Sequence, residues 1–515
     1  MRRAGLVAGA CVLVLAGCGT TVPLASQGQS QGLGAGANGL AQPTVGPGGV
    51  VATGGAAPGS LPIGASAGPG VLATEAADGG GTGALGSDGS AGHATSTSGF
   101  GWDAKNVYVG VPTADDFAAL TKQAGANFDN GDVHGDFNAI AADINARGGI
   151  LGRKLVIVYH DAPTAQYSSN GSVVAQSMCT YFTQDRPVVA VVNGAPQLDA
   201  QPNFHTCLEK KKVTLLTLTD TDYNDKDYAR LGPHLLSAAS MSTDILVPTF
   251  IAALKRMGYF SGWDTTLGGP ASTPAAVGLL LPDDAAGHSV GALFKAQLKR
   301  AGEHFAAEYY YPPSGSGSES QSEVLAFTSA KVTHVLNLPP VELEIALFQR
   351  QAENQHYRPR YGYTPFDLPL TVEENPAVAP PAQQAGSMGI GWQPLNDVNA
   401  TKDVGDMPGG KRCFSALRAG GQTFDTSHRR AKFAGSLVCD AMYLLRDAFV
   451  AAGGLSGDAL LRALPQVGPR FTPASTFRSI LSGTDHGIPG YYRDSAYDSG
   501  CSCFAYRGAN RPFGR

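Results

Sequence analysis

The chain has 515 residues and a net charge of −5, from 37 Lys and Arg against 42 Asp and Glu. This length corresponds to about two to four domains of roughly 100–200 residues each. Basic residues are not clustered in a stripe. This argues against nucleic-acid binding, which depends on grouped Lys and Arg side chains to displace counterions.

The first 17 residues have the pattern of a signal peptide. Two arginines precede an apolar run over 4–16, which is shorter than the roughly 20 apolar residues that span a bilayer. The end of this run, Leu-Ala-Gly-Cys at 15–18, resembles the lipobox of bacterial lipoproteins. The resemblance implies cleavage before Cys18, a lipid on its thiol and a protein anchored at the extracytoplasmic face of the cell membrane. The alternative is an ordinary signal peptide in which Cys18 is incidental.

Residues 18–102 consist mainly of Gly, Ala, Ser, Thr and Pro. They include 24 of the chain's 67 glycines. The segment has no apolar periodicity and almost no aromatic residues, so it cannot build a core. We predict a disordered tether, whose r.m.s. span as a Gly-rich coil would be about 45–50 Å.

From residue 103 onward, strand-like and helix-like segments alternate. We predict, in order, a strand over 107–111, a helix over 136–147, a strand over 154–159, a helix over 173–182, a strand over 188–192, a helix over 200–211 and a strand over 213–218. There follow a helix over 243–257, a strand over 276–281, a helix over 289–301, a strand over 306–311, a helix over 319–330, a strand over 332–336 and a helix over 342–354. Such alternation is typical of an α/β fold with parallel sheets flanked by helices, in which ligands bind at the carboxyl ends of the strands.

The segment 141–155, with Gly-Gly-Ile-Leu-Gly-Arg at 148–153, resembles the first helix and second strand of type I periplasmic binding proteins. It is more narrowly similar to the branched-chain amino-acid binding proteins of ABC transporters. Weaker matches follow in the family's order, at 193–194, 219–221, 282–287 and 439–443.

The resemblance implies a two-lobed fold with a hinge of crossover strands, one of them over 388–394. Lobe one would comprise 103–236 plus 386–460, and lobe two 237–385 plus 461–515. A small polar ligand, an amino acid or a similar compound, would bind between the lobes and pass to an ABC transporter permease, without a cofactor and without catalysis. A sensor of the same fold, acting on a signalling partner, is the alternative.

The resemblance also implies the site. The loops after the third and fourth strands of lobe one would hold the ligand's carboxylate and ammonium groups. Their residues are Gly194, Ala195, Pro196, Gln197, Thr219, Asp220 and Thr221. Ala286 and Gly287 of lobe two would close over the ligand, and Asp116 and Asp367 are further candidates. Ala286 stands where the family usually has an aromatic residue, so a ligand larger than leucine would fit.

Six cysteines follow the tether, and an oxidising compartment favours disulfides among them. Sequence alone allows 15 connectivities. The resemblance implies the pair Cys179–Cys207. Because a Cys501–Cys503 bridge would be strained, we expect Cys501 and Cys503 to bond to Cys413 and Cys439. A metal site of Cys501, Cys503 and His486 is the alternative.

A rival function is suggested by Gly-His-Ser-Val-Gly at 287–291, which matches the nucleophile elbow of serine hydrolases. Asp367 and either His428 or His486 would complete a triad with Ser289. However, the segment 282–286 separates Ser289 from its strand, and no oxyanion-hole glycine run is present upstream.

Overall fold

The computed structural model describes residues 98–114, 116, 122, 129–199, 201–312, 319–338, 343–398, 407, 409–424, 429–482 and 484–514. The predicted signal peptide, lipidation site Cys18 and most of the tether lie outside these residues. Within the described ranges, no helix combines the length and the apolarity that crossing a membrane requires.

The first sheet has five parallel strands in the order β2-β1-β3-β4-β5. Its strands are β1 (Asn106–Thr113), β2 (Lys154–Asp161), β3 (Ala190–Asn193), β4 (Thr214–Thr217) and β5 (Leu235–Ser237). The intervening helices are α1 (Val133–Ala146), α2 (Thr164–Thr180), α3 (Pro202–Lys210) and α4 (Asp225–Leu231). β1 lies between β2 and β3, and its three valines are fully buried.

The second sheet has seven strands in the order β14-β13-β12-β11-β10-β8-β9. They are β8 (Val277–Pro282), β9 (Phe305–Tyr311), β10 (His334–Asn337), β11 (Arg360–Tyr363), β12 (Met388–Gly391), β13 (Tyr491–Asp498) and β14 (Cys503–Pro512). Strands β8 to β12 are parallel to one another, while β13 and β14 form an antiparallel hairpin beside β12. A separate two-stranded ribbon consists of β6 (Trp263–Asp264) and β7 (Gly269–Pro270).

The remaining helices cover the two sheets. They are α5 (Thr243–Arg256), α6 (Ala285–Ala301), α7 (Ser320–Ser329), α8 (Leu343–Asn354), α9 (Pro369–Glu374), α10 (Pro381–Gln384), α11 (Pro394–Asp397), α12 (Gly410–Ala419), α13 (Arg429–Ala452) and α14 (Gly457–Val467). Short 3-10 segments lie at Pro196–Leu198, Pro365–Asp367 and Gly468–Arg470, and a π-helical turn at Tyr181–Asp185 extends α2.

Local signals explain where α1 begins and ends. The Asp132 side chain accepts a hydrogen bond from the backbone N–H of Gly135, which satisfies one free donor of the first turn. The helix stops before Gly148 and Gly149, both of which have positive φ, a backbone conformation that favours glycine. At Gly149 a Cβ would also collide with the carbonyl oxygen of Arg153.

The two sheets define two lobes, which we call lobe one and lobe two after their order in the chain. The structure differs from the predicted division at two points. β12 lies in the second sheet, so 386–391 belongs to lobe two. Leu464, Leu481 and Ile488 pack into the core of lobe one, so the return to lobe two comes after 488 and not after 460. The C-terminal hairpin, which the sequence did not predict, then completes the second sheet.

Three disulfides are present among the described residues. The predicted pair Cys179–Cys207 joins α2 to α3, with a Cα–Cα distance of 6.2 Å. The other prediction is wrong. Cys413 and Cys439 pair with each other, because α12 and α13 are neighbours in the core of lobe one. Cys501 and Cys503 pair at the tip of the β13–β14 hairpin, with Cα atoms 5.2 Å apart. No His, Cys, Asp and Glu group suited to a metal ion occurs in the described part of the chain.

Candidate functional site

Strand polarity determines where a site can form. In lobe one, β1, β3 and β4 are parallel neighbours, and in lobe two the same is true of β8, β10 and β11. The carboxyl ends of parallel strands meet at one edge of a sheet, where the connecting loops are free to present polar groups. The predicted site residues lie at these edges, and their individual contacts decide which of them can reach a ligand.

The loops after β3 and β4 are tied together by a buried carboxylate. Asn193 Nδ2 donates to Asp199 Oδ1 at 2.7 Å, and the Thr219 hydroxyl donates to the other Asp199 oxygen. Burial raises the pKa of Asp199 to about 7, against hydrogen bonds that lower it. The Thr219 hydroxyl hydrogen is therefore committed to holding the loop in place.

The β3 loop itself offers few uncommitted groups. The N–H of Gly194 donates to the Pro112 carbonyl at 3.1 Å, and the N–H of Ala195 donates to Asn193 Oδ1 at 3.1 Å. Pro196 has no N–H. The Gln197 side-chain oxygen is buried and, among the described residues, has no hydrogen-bond partner. Of the four predicted residues in this loop, Gln197 is thus the best placed to contact a ligand.

Asp220 and Thr221 connect the β4 loop to the lobe junction. Gln393 Nε2 donates to Asp220 Oδ1 at 3.1 Å and to the Ala239 carbonyl at 2.9 Å. The Thr221 N–H donates to Ser240 Oγ at 3.1 Å. Gln393 follows β12 closely, and Ala239 and Ser240 follow β5, so this network joins the loop to two of the three chain crossings between the lobes.

Asp222, two residues further on, was not predicted, yet it is more deeply buried than Asp220. Its Oδ2 has no hydrogen-bond partner within the described structure. Burial, reinforced by the carboxylate of Asp284 in lobe two, raises the pKa of Asp222 to about 7. Close by, Asn224 Nδ2 donates to Ser289 Oγ of α6 at 2.7 Å. The two lobes therefore meet at residues 222–224 and the N-terminal end of α6.

The predicted closing loop of lobe two is the start of α6. Asp284 caps this helix by accepting a hydrogen bond from the Gly287 N–H at 2.7 Å. Gly287 is buried, and a Cβ there would collide with the Pro282 carbonyl oxygen, so the tight turn requires glycine. Ala286 is half-buried in the first turn.

Asp367 and Asp116 have different roles. Asp367 is fully buried after β11, where its Oδ2 accepts from the Thr364 N–H at 2.7 Å. Burial raises its pKa to about 8. Asp116 accepts two hydrogen bonds of 2.6 Å from the N–H and hydroxyl of Thr164, the first residue of α2. These bonds lower the pKa of Asp116 and make it a helix cap.

Within the described residues, the triad of Ser289, Asp367 and His486 is not assembled. Ser289 lies inside α6, and its Oγ accepts the hydrogen bond from Asn224. His486 contacts the Leu235 carbonyl through Nδ1 at 2.8 Å and stacks on Tyr228, with ring centroids 4.2 Å apart. Asp367 is buried in lobe two, and His428 lies outside the described residues.

A surface groove of about 700 Å³ lies elsewhere, on lobe one. It is lined by β2, α2 and α3, including His160, Tyr181 and Asn203, and by none of the predicted site residues. His160 stacks on Tyr181 with ring centroids 4.3 Å apart. We interpret this contact as packing of the two rings and not as a ligand site.

No protein-family model matches the sequence, and no curated protein is significantly similar to it. Solved structures do match its fold. A branched-chain amino-acid ABC transporter protein from Thermus thermophilus with bound valine is 12% identical, with a TM-score of 0.55 over 79% of this chain and 96% of its own. A solute-binding protein of an ABC transporter from Rhodopseudomonas palustris HaA2, in complex with p-hydroxybenzoic acid, is 12% identical, with a TM-score of 0.57 over 80% and 98%.

A substrate-binding protein of an ABC transporter from Aeropyrum pernix is 14% identical, with a TM-score of 0.58 over 79% of this chain and 96% of its own. At such low identity the likeness concerns the fold. The chain therefore has the two-lobed fold of type I periplasmic binding proteins, as the sequence predicted.

Proposed function

We propose that this protein is an extracytoplasmic solute-binding protein, which captures a small polar ligand between its lobes for an ABC importer. The observation that carries the proposal is a set of buried polar atoms without partners in the described structure, at the carboxyl ends of strands from both lobes. They belong to Gln197, Asp222, Tyr311 and Asp367. Buried polar groups left without a hydrogen bond are costly, so they favour a polar ligand.

The lobe junction supports the same function. The Asn224–Ser289 contact joins the lobes at the site, and Gln393 links the β4 loop to the crossings. Ligand contacts on one lobe would therefore bias rotation of the other, which is the hinge closure seen in binding proteins of this kind.

The test is a titration of the intact, dialysed protein with amino acids and aromatic acids, followed by thermal shift and calorimetry. A hit should bind Asp222→Asn more weakly by about 1.5–3 kcal/mol if Asp222 contacts a charged amine. Asp225→Asn is the matched control, because it removes the same charge from an exposed position on α4. If no compound of either class changes the melting temperature, or if both variants bind alike, the proposed site is incorrect.

Membrane anchoring through Cys18 is part of the proposal and rests on the lipobox resemblance. Cys18→Ser should leave the protein unlipidated, and either unprocessed or released to the medium. Fractionation with mass spectrometry of the N-terminal peptide tests this. Equal retention of the wild type and the variant in the membrane would contradict a lipid anchor.

A further inference from the structure

The turn of the β13–β14 hairpin carries a disulfide that encloses a single residue. Cys501 and Cys503 are separated by Ser502 alone, and their Cα atoms lie 5.2 Å apart. The turn residues 499–502 are all exposed, whereas Cys503, the first residue of β14, is only 6% exposed. The bridge therefore presents one accessible cysteine at an exposed turn of lobe two.

Other contacts hold this turn in place. Asp498 and Cys503 are register partners in the antiparallel pair of strands. The Gly500 N–H donates to Asp498 Oδ1 at 2.9 Å, and the Cys501 N–H donates to the Asp498 carbonyl at 3.3 Å. Arg507 of β14 pairs with the Asp498 carboxylate at 3.4 Å. These contacts close the turn without the sulfur atoms, so the strands can stay paired when the bridge opens.

The other two disulfides are built differently. Cys179–Cys207 and Cys413–Cys439 have sequence separations of 28 and 26, and each joins two helices of lobe one. Cys207 is half-buried, and its three companions are fully buried. A thiol must reach a sulfur atom before it can exchange with a disulfide, so burial shields these two bridges in the folded protein.

The residue inside the small ring is constrained as well. Ser502 has a φ of 52°, in the left-handed region that residues other than glycine adopt uncommonly. Exposed or constrained disulfides are the ones that exchange readily with thiols, while structural disulfides resist reduction. Exposure and constraint coincide at this turn, and the bridge there contributes little to holding the fold.

We propose that Cys501–Cys503 is a thiol–disulfide exchange site, which oxidises low-molecular-weight thiols. This activity goes beyond ligand capture and does not depend on it. The thiolate of the small thiol attacks Cys501 Sγ, because Cys501 is the exposed partner. A new S–S bond forms to Cys501 and the bond to Cys503 breaks. Its electron pair stays on Cys503 Sγ, which takes up a proton from water.

A second molecule of the thiol completes the reaction. Its thiolate attacks the sulfur of the first molecule in the mixed disulfide, and the Cys501 thiolate leaves and takes up a proton. Two small thiols are thereby joined as one disulfide and give up two electrons. The protein receives these electrons and is left with Cys501 and Cys503 as free thiols.

The first test is a redox titration of the intact, oxidised protein with glutathione, a tripeptide thiol, at neutral pH and without denaturant. Free thiols are blocked with N-ethylmaleimide, and peptide mapping by mass spectrometry then gives the reduced fraction of each bridge. Cys501–Cys503 should be half-reduced at a quotient [GSH]²/[GSSG] about a hundredfold lower than either other bridge requires. Half-reduction of all three bridges at one quotient, or opening of Cys501–Cys503 only in denaturant, would overturn the proposal.

A matched pair of single variants tests which sulfur is attacked. Cys503→Ser keeps the exposed Cys501, and Cys501→Ser keeps the buried Cys503. With oxidised glutathione, the first variant should form its mixed disulfide at least about tenfold faster than the second. Equal rates would overturn the assignment of Cys501 as the attacked sulfur. The glutathione titration uses the wild-type chain, so its result stands even if a variant fails to fold.

Discussion

The three disulfides should differ in their contribution to stability, because they close loops of very different length. Sequence separations are 28 for Cys179–Cys207, 26 for Cys413–Cys439 and 2 for Cys501–Cys503. In the chain-entropy model, the first two each destabilise the unfolded state by about 3.5 kcal/mol and the third by about 1 kcal/mol. Cys413 and Cys439 are also fully buried, so their replacement adds a loss of packing.

The assay compares the three double variants, in which each pair is replaced by alanine. Urea unfolding should be followed separately for the transitions of the two lobes, since a protein of this size need not unfold in one step. The Cys413→Ala/Cys439→Ala variant should lose at least about 3 kcal/mol from the transition of lobe one. The Cys501→Ala/Cys503→Ala variant should lose about 1 kcal/mol from that of lobe two. Equal losses in the three variants would refute the reasoning from loop length.

Three further outcomes are expected. Trp392 is fully buried at the lobe junction. In a variant with Trp102 and Trp263 replaced by Phe, the fluorescence emission of Trp392 should therefore change at saturating ligand. Unchanged emission would argue against hinge motion at this residue. Asp116 caps α2 in its ionised form, since hydrogen bonds lower its pKa. Its contribution of about 0.5–2 kcal/mol should therefore be lost as the pH falls through and below about 4, and Asp116→Asn should flatten the acid side of a stability–pH profile. Gly287→Ala should weaken ligand binding, because the added Cβ displaces the start of α6; calorimetry showing wild-type affinity would contradict this.

The alternation of strands and helices was readable from the sequence because these elements bury long apolar faces. The strand predicted over 107–111 is the centre of β1, and the helix predicted over 243–257 coincides with α5 almost residue for residue. The β13–β14 hairpin was missed. Its strands are rich in Tyr, Arg and Asp, so they lack the apolar runs that mark the other strands in the sequence.

The site was predictable only to the level of its loops. The sequence pointed to Asp220, but a carboxylate in a loop cannot be assigned to a ligand until its partners are known, and Gln393 bonds to it. Asp222 lies two residues away in the same loop, and nothing in the sequence indicates which of the two carboxylates would contact a ligand.

The C-terminal hairpin also provides one edge of the second sheet. β14 is the outermost strand of the second sheet, so one row of its backbone groups lacks a neighbouring strand in the order observed. Such an edge is a template for pairing with another chain. Residues 507–512 of this strand are exposed and include Arg507, Arg511 and Pro512. A second copy could add its strand here only by desolvating these two cations and accommodating a residue without an N–H. We therefore expect this edge to pair poorly with another chain.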